Sequence, residues 1–99
     1  MNATLRETQN FNVINFNDLQ FKPHPMGFGK QAVIQFSNGF GASVIKHKYS
    51  YGGKKGLWEV ALLKGDELFY NADFPDVKGH LNDPQVDAEL IHIANYEQQ

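Results

Sequence analysis

Three dipeptides that favour tight turns divide the middle of the chain into short strand-like segments. They are Asn38-Gly39, Gly52-Gly53 and Gly65-Asp66, each flanked on both sides by residues typical of strands. Asn-Gly in this setting is a strong hairpin signal, because both residues tolerate the positive φ angles of a type I′ turn. Three such turns predict four consecutive antiparallel strands, which together form a meander.

Turns of two residues also determine which residues of neighbouring strands face each other. Phe36 would then lie over Gly41, and an aromatic ring that covers a cross-strand glycine shields bare backbone. The turns predict the pairs Ile34–Ser43, Phe36–Gly41, Ile45–Val60, Lys46–Glu59 and Leu62–Phe69. Because side chains alternate between the faces of a sheet, one face would form the core with Ile34, Phe36, Ile45, Trp58, Val60, Leu62 and Phe69.

The segment NDPQVDAELIHIANYEQQ at the end of the chain has the pattern of a helix. Asp83 can cap the first turn, and Pro84 suits the first helical position. Val86, Leu90 and Ile93 recur at helical spacing. We therefore expect an α+β fold, in which a mostly antiparallel meander of four to six strands carries one C-terminal helix on one face.

The opposite face of the predicted sheet is unusually apolar for a surface exposed to water. A one-sided sheet would alternate more cleanly between apolar and polar residues. An exposed apolar patch of this size is typical of an interface. Either the N-terminal segment covers this second face or a partner does, and the residues concerned are Val33, Phe40, Val44, Leu57, Ala61, Leu63, Leu68 and Tyr70.

Length and composition exclude several classes of protein. The 99 residues suffice for a single domain, residues 1–99, of which we expect residues 1–10 to be flexible. The hydrophobic fraction of 41% is too high for a disordered chain, and the lack of cysteine excludes disulfides and thiolate metal sites. No apolar run approaches the length of a membrane span, and the polar start lacks a signal-peptide core. The expected location is the cytoplasm.

The stretch KHKYSYGGKKGLWEV concentrates positive charge and aromatic residues around one predicted turn. Residues 1–55 carry seven Lys or Arg and two Asp or Glu, whereas residues 56–99 carry two and nine, so the net charges are +5 and −7. Lysines bind phosphates and tyrosines can stack on bases. This hairpin tip is therefore an alternative nucleic-acid site, formed by Lys48, Tyr51, Lys54 and Lys55.

A third interpretation concerns the loop NADFPDVKGHLND, which contains Asp73, Asp76 and His80. Carboxylates and a histidine in one loop could bind a hard cation or transfer protons. Such residues serve turns and helix caps more often. No pair of histidines has the spacing of zinc ligands, and no serine lies in a nucleophile elbow. We predict no catalytic residue, metal or cofactor.

The stretch NGFGASVIKHKYSYGGKKGLWEVALL, with the Pro-Asp loop and short helix that follow, resembles small hypothetical proteins of bacteriophages. The likeness extends from Phe21 to Ile93 and depends on the glycine turns and on Gly-Leu-Trp-Glu-Val. It implies a small accessory protein that is made in a bacterial host cytoplasm and acts on a host or phage macromolecule. It transfers no catalytic or binding residue.

Together these features predict a non-enzymatic accessory protein that binds a host or phage protein, for instance as an inhibitor of a host system. Binding would use the second sheet face or the basic hairpin tip, and the same face could form a homodimer. A nucleic-acid-binding module and a small enzyme that uses the Asp73 loop are the alternatives. The predicted binding residues are Val44, Leu63, Phe40, Tyr70, Tyr51, Lys48, Lys54 and Lys55.

Overall fold

A computed structural model of the protein describes residues 16–47, 50 and 52–97, with the backbone alone at residue 54. The chain forms one six-stranded antiparallel sheet and one C-terminal α-helix, which confirms the predicted α+β fold. Short 3-10 helices lie at Phe16–Asp18 and Gly53–Lys55. The regular elements are β1 (Lys22–Pro23), β2 (Gly29–Gln35), β3 (Phe40–His47), β4 (Trp58–Lys64), β5 (Glu67–Leu68), β6 (Lys78–Leu81) and α1 (Asp83–Ala94).

The sheet follows the order β1-β2-β3-β4, and β5 and β6 share the outer edge of β4. The described part of the N-terminal segment is the first 3-10 helix followed by β1, which pairs with β2 through Lys22↔Gln31. Residues 1–10, which we expected to be flexible, lie outside the described residues.

The first hairpin differs from the predicted one by a single residue. Its connection has three residues, because the Phe36 N–H donates to the Phe40 carbonyl and Ile34 faces Ala42. Only Gly39 in this loop has a positive φ, of 89°. The predicted pairs Ile34–Ser43 and Phe36–Gly41 are therefore wrong, and the Gln35 side chain is the one that lies against Gly41.

The second connection is also not a two-residue turn. The Ser50 hydroxyl accepts a hydrogen bond from the His47 N–H and donates one to the His47 carbonyl, both at 2.9 Å, which ends β3. Gly52 has a φ of 88°, and a Cβ on Gly53 would lie 1.8 Å from the His47 carbonyl oxygen. These glycines are needed for close backbone approach, and the longer connection pairs Ile45 with Glu59 in place of Val60.

The two register differences cancel, so that only β3 is inverted relative to the prediction. Residues of β2, β4 and β5 keep their predicted faces, whereas Phe40 and Val44 point into the core and Ile45 points away from it. The predicted Lys46–Glu59 pair is wrong for the same reason. Lys46 instead places its Nζ 4.5 Å from the centre of the Trp58 ring on the core side.

The third turn agrees with the prediction. Gly65 and Asp66 connect β4 to β5, Gly65 has a φ of 63°, and Lys64 faces Glu67. The N–H of the residue after β5, Phe69, donates to the Leu62 carbonyl at 3.0 Å, which confirms the predicted Leu62–Phe69 pairing.

Helix α1 covers the core face of β3 and β4. Val86, Leu90 and Ile93 are fully buried, as the helical spacing predicted. The cap is Asn82 and not Asp83: Asn82 and Gln85 bond each other's backbone N–H groups in a capping box. The carboxylate of Asp83, one position later, accepts the Trp58 indole N–H at 3.0 Å. The buried cluster consists of Phe36, Phe40, Ala42, Val44, Trp58, Val60, Leu62, Phe74, Val86, Leu90 and Ile93.

Candidate functional site

The second face of the sheet, opposite α1, carries a shallow groove of about 470 Å³. It crosses β2, β3, β4 and β5, and its central row follows the register Val33↔Ser43 and Ser43↔Ala61. In this row the small side chains of Ser43 and Ala61 follow the larger Val33, which makes the surface concave there. The second-face groove is lined by Gln31, Val33, Ser43, Glu59, Ala61, Leu63, Asp66, Leu68 and Val77.

The floor and the rims of the groove differ in exposure. Ser43, Ala61 and Leu63 on the floor are buried. On the rims, 53% of Val33 and 56% of Leu68 are exposed. The half-exposed valine and leucine extend the apolar surface beyond the buried floor.

Four of the nine described residues that line the groove are polar or charged. The Gln31 side-chain amide donates to the Ser43 hydroxyl at 3.0 Å, so these two polar groups satisfy each other on the groove floor. Glu59 and Asp66 add two carboxylates, and none of the nine described lining residues is basic. The groove therefore combines an apolar floor with negative charge.

Only part of the predicted partner-binding set lies on this surface. Leu63 lines the groove, as expected for a second-face residue. Phe40 and Val44 do not, because the inversion of β3 buries them beneath α1, where they are 5% and 0% exposed. Tyr70 is exposed and follows β5, outside the groove lining. Placing Phe40 and Val44 on the second face was thus wrong.

The predicted basic tip is described only in part. Lys48, Tyr51 and the side chain of Lys54 lie outside the described residues. Lys55 ends the second 3-10 helix and is exposed. The backbone here is held between Gly52 and Gly56, both with positive φ.

The predicted loop with Asp73, Asp76 and His80 is not a single loop, because His80 lies in β6, which pairs with β4. The two carboxylates make structural hydrogen bonds. Asp73 accepts the Tyr96 hydroxyl at 2.8 Å, and Asp76 accepts the Val77 N–H at 2.7 Å. The hydrogen bond to Asp73 raises the pKa of the Tyr96 hydroxyl above its usual 10.0. Among the described residues no group of three His, Asp or Glu side chains could hold a metal ion.

Sequence reasoning missed the loop between β1 and β2. The His24 and His47 rings pack with their centres 4.4 Å apart, and Phe28 approaches His47 edge-on at 6.5 Å. Met26 and Phe28 are 73% and 71% exposed, the highest values among the described large apolar side chains. The sequence here, PHPMGFGK, places Phe28 between two glycines, which is compatible with a bend and carries no sign of an exposed ring.

Comparisons with known proteins add no family to this geometry. No protein-family model matches the chain, and neither the curated proteins nor the solved structures gave a match. The expected bacteriophage origin stays a prediction. Within the described part of the chain, no helix is long and apolar enough to cross a membrane.

Proposed function

We propose that this protein is a non-catalytic binding module that holds an apolar segment of a protein partner in the second-face groove. The carrying observation is the concave surface with an apolar floor at Ala61 and Leu63 and half-exposed rims at Val33 and Leu68. The rims lie three strand spacings apart, about 14 Å, so a bound segment that crosses the strands would contact the floor and both rims with several side chains. That arrangement removes apolar surface of both molecules from water.

The charges of the groove indicate the chemistry of the partner. Two or three buried apolar side chains contribute on the order of 5 kcal/mol, and association itself costs about 4–15 kcal/mol. Apolar burial alone therefore gives weak binding, and a second contribution is needed. Since the exposed Asp66 brings a carboxylate to the lining, a segment flanked by lysine or arginine is complementary to the groove.

A module of this kind acts by occupying its partner's surface. The six-stranded sheet and α1 form a small rigid body, and the groove presents main-sheet residues whose positions are fixed by register. An accessory protein that blocks a host or phage protein would need no chemistry beyond such occlusion. A second copy of the chain is the competing occupant.

Selection from a library of random short peptides tests this proposal. Peptides retained by the immobilised protein should be apolar with flanking lysine or arginine. Titration of one such peptide should shift the methyl NMR signals of Val33, Leu63, Leu68 and Val77. The Leu68→Asp variant should weaken binding tenfold or more, because it places a charge on an apolar rim.

Ile91→Asp is the matched control, since Ile91 is an exposed apolar residue on α1, far from the second face. It should leave peptide affinity unchanged. Equal peptide binding by wild type and Leu68→Asp would contradict the proposal. A dimer that Leu68→Asp converts to a monomer, with no peptide retained, would assign the groove to a second copy.

A further inference from the structure

A long part of the chain is free of acidic residues. From Leu19 to Trp58 there are six lysines, at positions 22, 30, 46, 48, 54 and 55, and no Asp or Glu. The overall net charge of −2 conceals this segregation. A stretch of one sign of charge becomes functional only where the fold gathers it on one surface.

The sheet register gathers much of this stretch at one end of the molecule. Gly29, at the start of β2, faces His47, at the end of β3. The loop between β1 and β2 and the connection after β3 therefore lie side by side, and His24 packs on His47 across them. We call this region, formed by residues 22–30 and 52–56, the basic end.

The carboxylates near the basic end lie on both sides of the sheet. Asp83 and Asp87 belong to the first turns of α1, on the core side. Asp83 accepts the Trp58 indole N–H, and Asp87 accepts the Phe16 backbone N–H, so both are held against the core. Glu59 lies on the second face, opposite Ile45, and is the acidic residue of the sheet in register with Lys22.

Phe28 is held in an unfavourable conformation while 71% of its surface is exposed. Its φ of 63° is left-handed, which costs a residue with a Cβ about 1–2 kcal/mol. The loop cannot relax by sliding, because Gly29 packs so closely on β3 that a Cβ there would lie 2.1 Å from the Lys46 carbonyl oxygen. Backbone strain at an exposed aromatic residue is typical of a recognition site.

We propose that the basic end binds single-stranded nucleic acid, with Phe28 stacking on a base and Lys22, Lys30 and Lys55 contacting phosphates. All three lysines are exposed, and Lys22 and Lys30 leave the sheet on opposite faces, so a bound strand would pass around the end of the sheet at Phe28. Sites for single strands combine a positive surface with aromatic rings, since every base has a face on which a ring can stack. In a duplex the bases are already stacked, so a ring such as Phe28 gains no stacking there.

An anionic lipid surface would also attract these lysines, but it fits the basic end less well. Membrane binding by a loop depends on the apolar area that enters the interface. Among the described residues of the basic end, only Met26 and Phe28 are large exposed apolar side chains that could supply such area. One stacked ring with several lysines, by contrast, is already sufficient for a single-stranded site.

Fluorescence anisotropy with labelled oligothymidylate tests this proposal on the full chain. The wild type should bind more tightly at about 50 mM than at 200 mM salt, because phosphate contacts release counterions. Phe28→Ala should weaken binding about tenfold without changing the salt slope. Replacing Lys22 and Lys30 together by Gln should reduce the slope by about 0.7 for each lysine that contacts a phosphate.

Phe28→Gly separates recognition from folding. Glycine accepts a φ of 63° without strain, so this variant should lose affinity as Phe28→Ala does and yet melt no lower than the wild type. Lys64→Gln is the charge-matched control. Lys64 lies at the opposite end of the sheet, near Phe40 and Phe69, and its loss should leave binding unchanged.

Three results would overturn the proposal. The first is no anisotropy change at concentrations of about 100 µM, the weak limit of nonspecific binding. The second is binding that Phe28→Ala and the double lysine variant leave intact. The third is equal binding of duplex, or capture by phosphatidylserine vesicles without binding to the oligonucleotide, which would assign the basic end to duplex or to lipid. Leu68→Asp should not alter oligonucleotide binding, so this test is independent of the groove.

Discussion

Two turns at the same end of the sheet look alike in sequence and differ in structure. Gly65-Asp66 forms the predicted two-residue connection, whereas Asn38-Gly39 belongs to a three-residue loop. The turns are neighbours, because the Gly65 N–H donates to the Gly39 carbonyl at 3.3 Å. Nothing in the dipeptides themselves separates the two outcomes.

The difference comes from what the Asn38 side chain does. Its amide donates to the Ile93 and Tyr96 carbonyls at 2.8 and 2.9 Å, and its oxygen accepts the Phe40 N–H. Asn38 thereby ties the loop to carbonyl groups at the end of α1 and just beyond it, among them that of Ile93, which also accepts the Tyr96 N–H. The three-residue loop thus goes together with a contact to the end of a helix more than fifty residues away along the chain. Local turn propensity would favour two residues.

The largest expected effect tests the inversion of β3 that this loop produces. Val44→Asp places a charge at a fully buried position beneath α1 and should cost about 4 kcal/mol, a large part of the stability of a domain of this size. Ile45→Asp, on the opposite face, should cost about 1 kcal/mol. Urea unfolding followed by circular dichroism measures both. A larger loss for Ile45→Asp would mean that β3 faces the other way.

An intermediate effect separates the two turns. Asn38→Asp removes the donor and brings a negative charge to the C-terminal end of α1, so we expect a loss of about 2–3 kcal/mol in the free energy of unfolding. Asp66→Asn, at the exposed local turn, should stay within about 0.5 kcal/mol of the wild type. Thermal and urea unfolding of both variants provide the comparison. Equal losses would show that Asn38 acts only as a turn residue.

The smallest effect concerns Tyr96, whose carbonyl binds Asn38 and whose hydroxyl binds Asp73. The raised pKa of Tyr96 favours its neutral form in the folded protein. The hydrogen bond between Tyr96 and Asp73 therefore contributes fully to stability below pH 10.0. That contribution is lost as the pH rises past the raised pKa of Tyr96. Asp73→Asn should lower that pKa toward 10.0 in an ultraviolet absorbance titration.

Asp76→Asn is the control for this titration, because the Asp76 carboxylate bonds the Val77 N–H and not Tyr96. Asp76→Asn should leave the raised pKa of Tyr96 unchanged. If Asp73→Asn also leaves the pKa of Tyr96 unchanged, the hydrogen bond to Asp73 is not the cause of the raised value.

The candidate surfaces were predictable to different degrees. The apolar character of the second face was visible in sequence, and Leu63 was correctly assigned to it. Val44 and Phe40 were not, because strand alternation turns a register difference of one residue into a change of face. Phe28 carried no signal of its own, since its exposure depends on a left-handed backbone held between Gly27 and Gly29.

The sequence by itself determined the elements: three turns, the strands between them, and a helix whose Val86, Leu90 and Ile93 form one buried stripe. These are local properties, set by backbone freedom at glycine and by the period of apolar residues. Only the tertiary structure decided the lengths of the first two connections, and with them the face of β3. Asn38 bonds the end of α1, and Ser50 with Gly53 closes β3 against its own backbone. Which residues these contacts join is known only after the helix and the sheet have packed together.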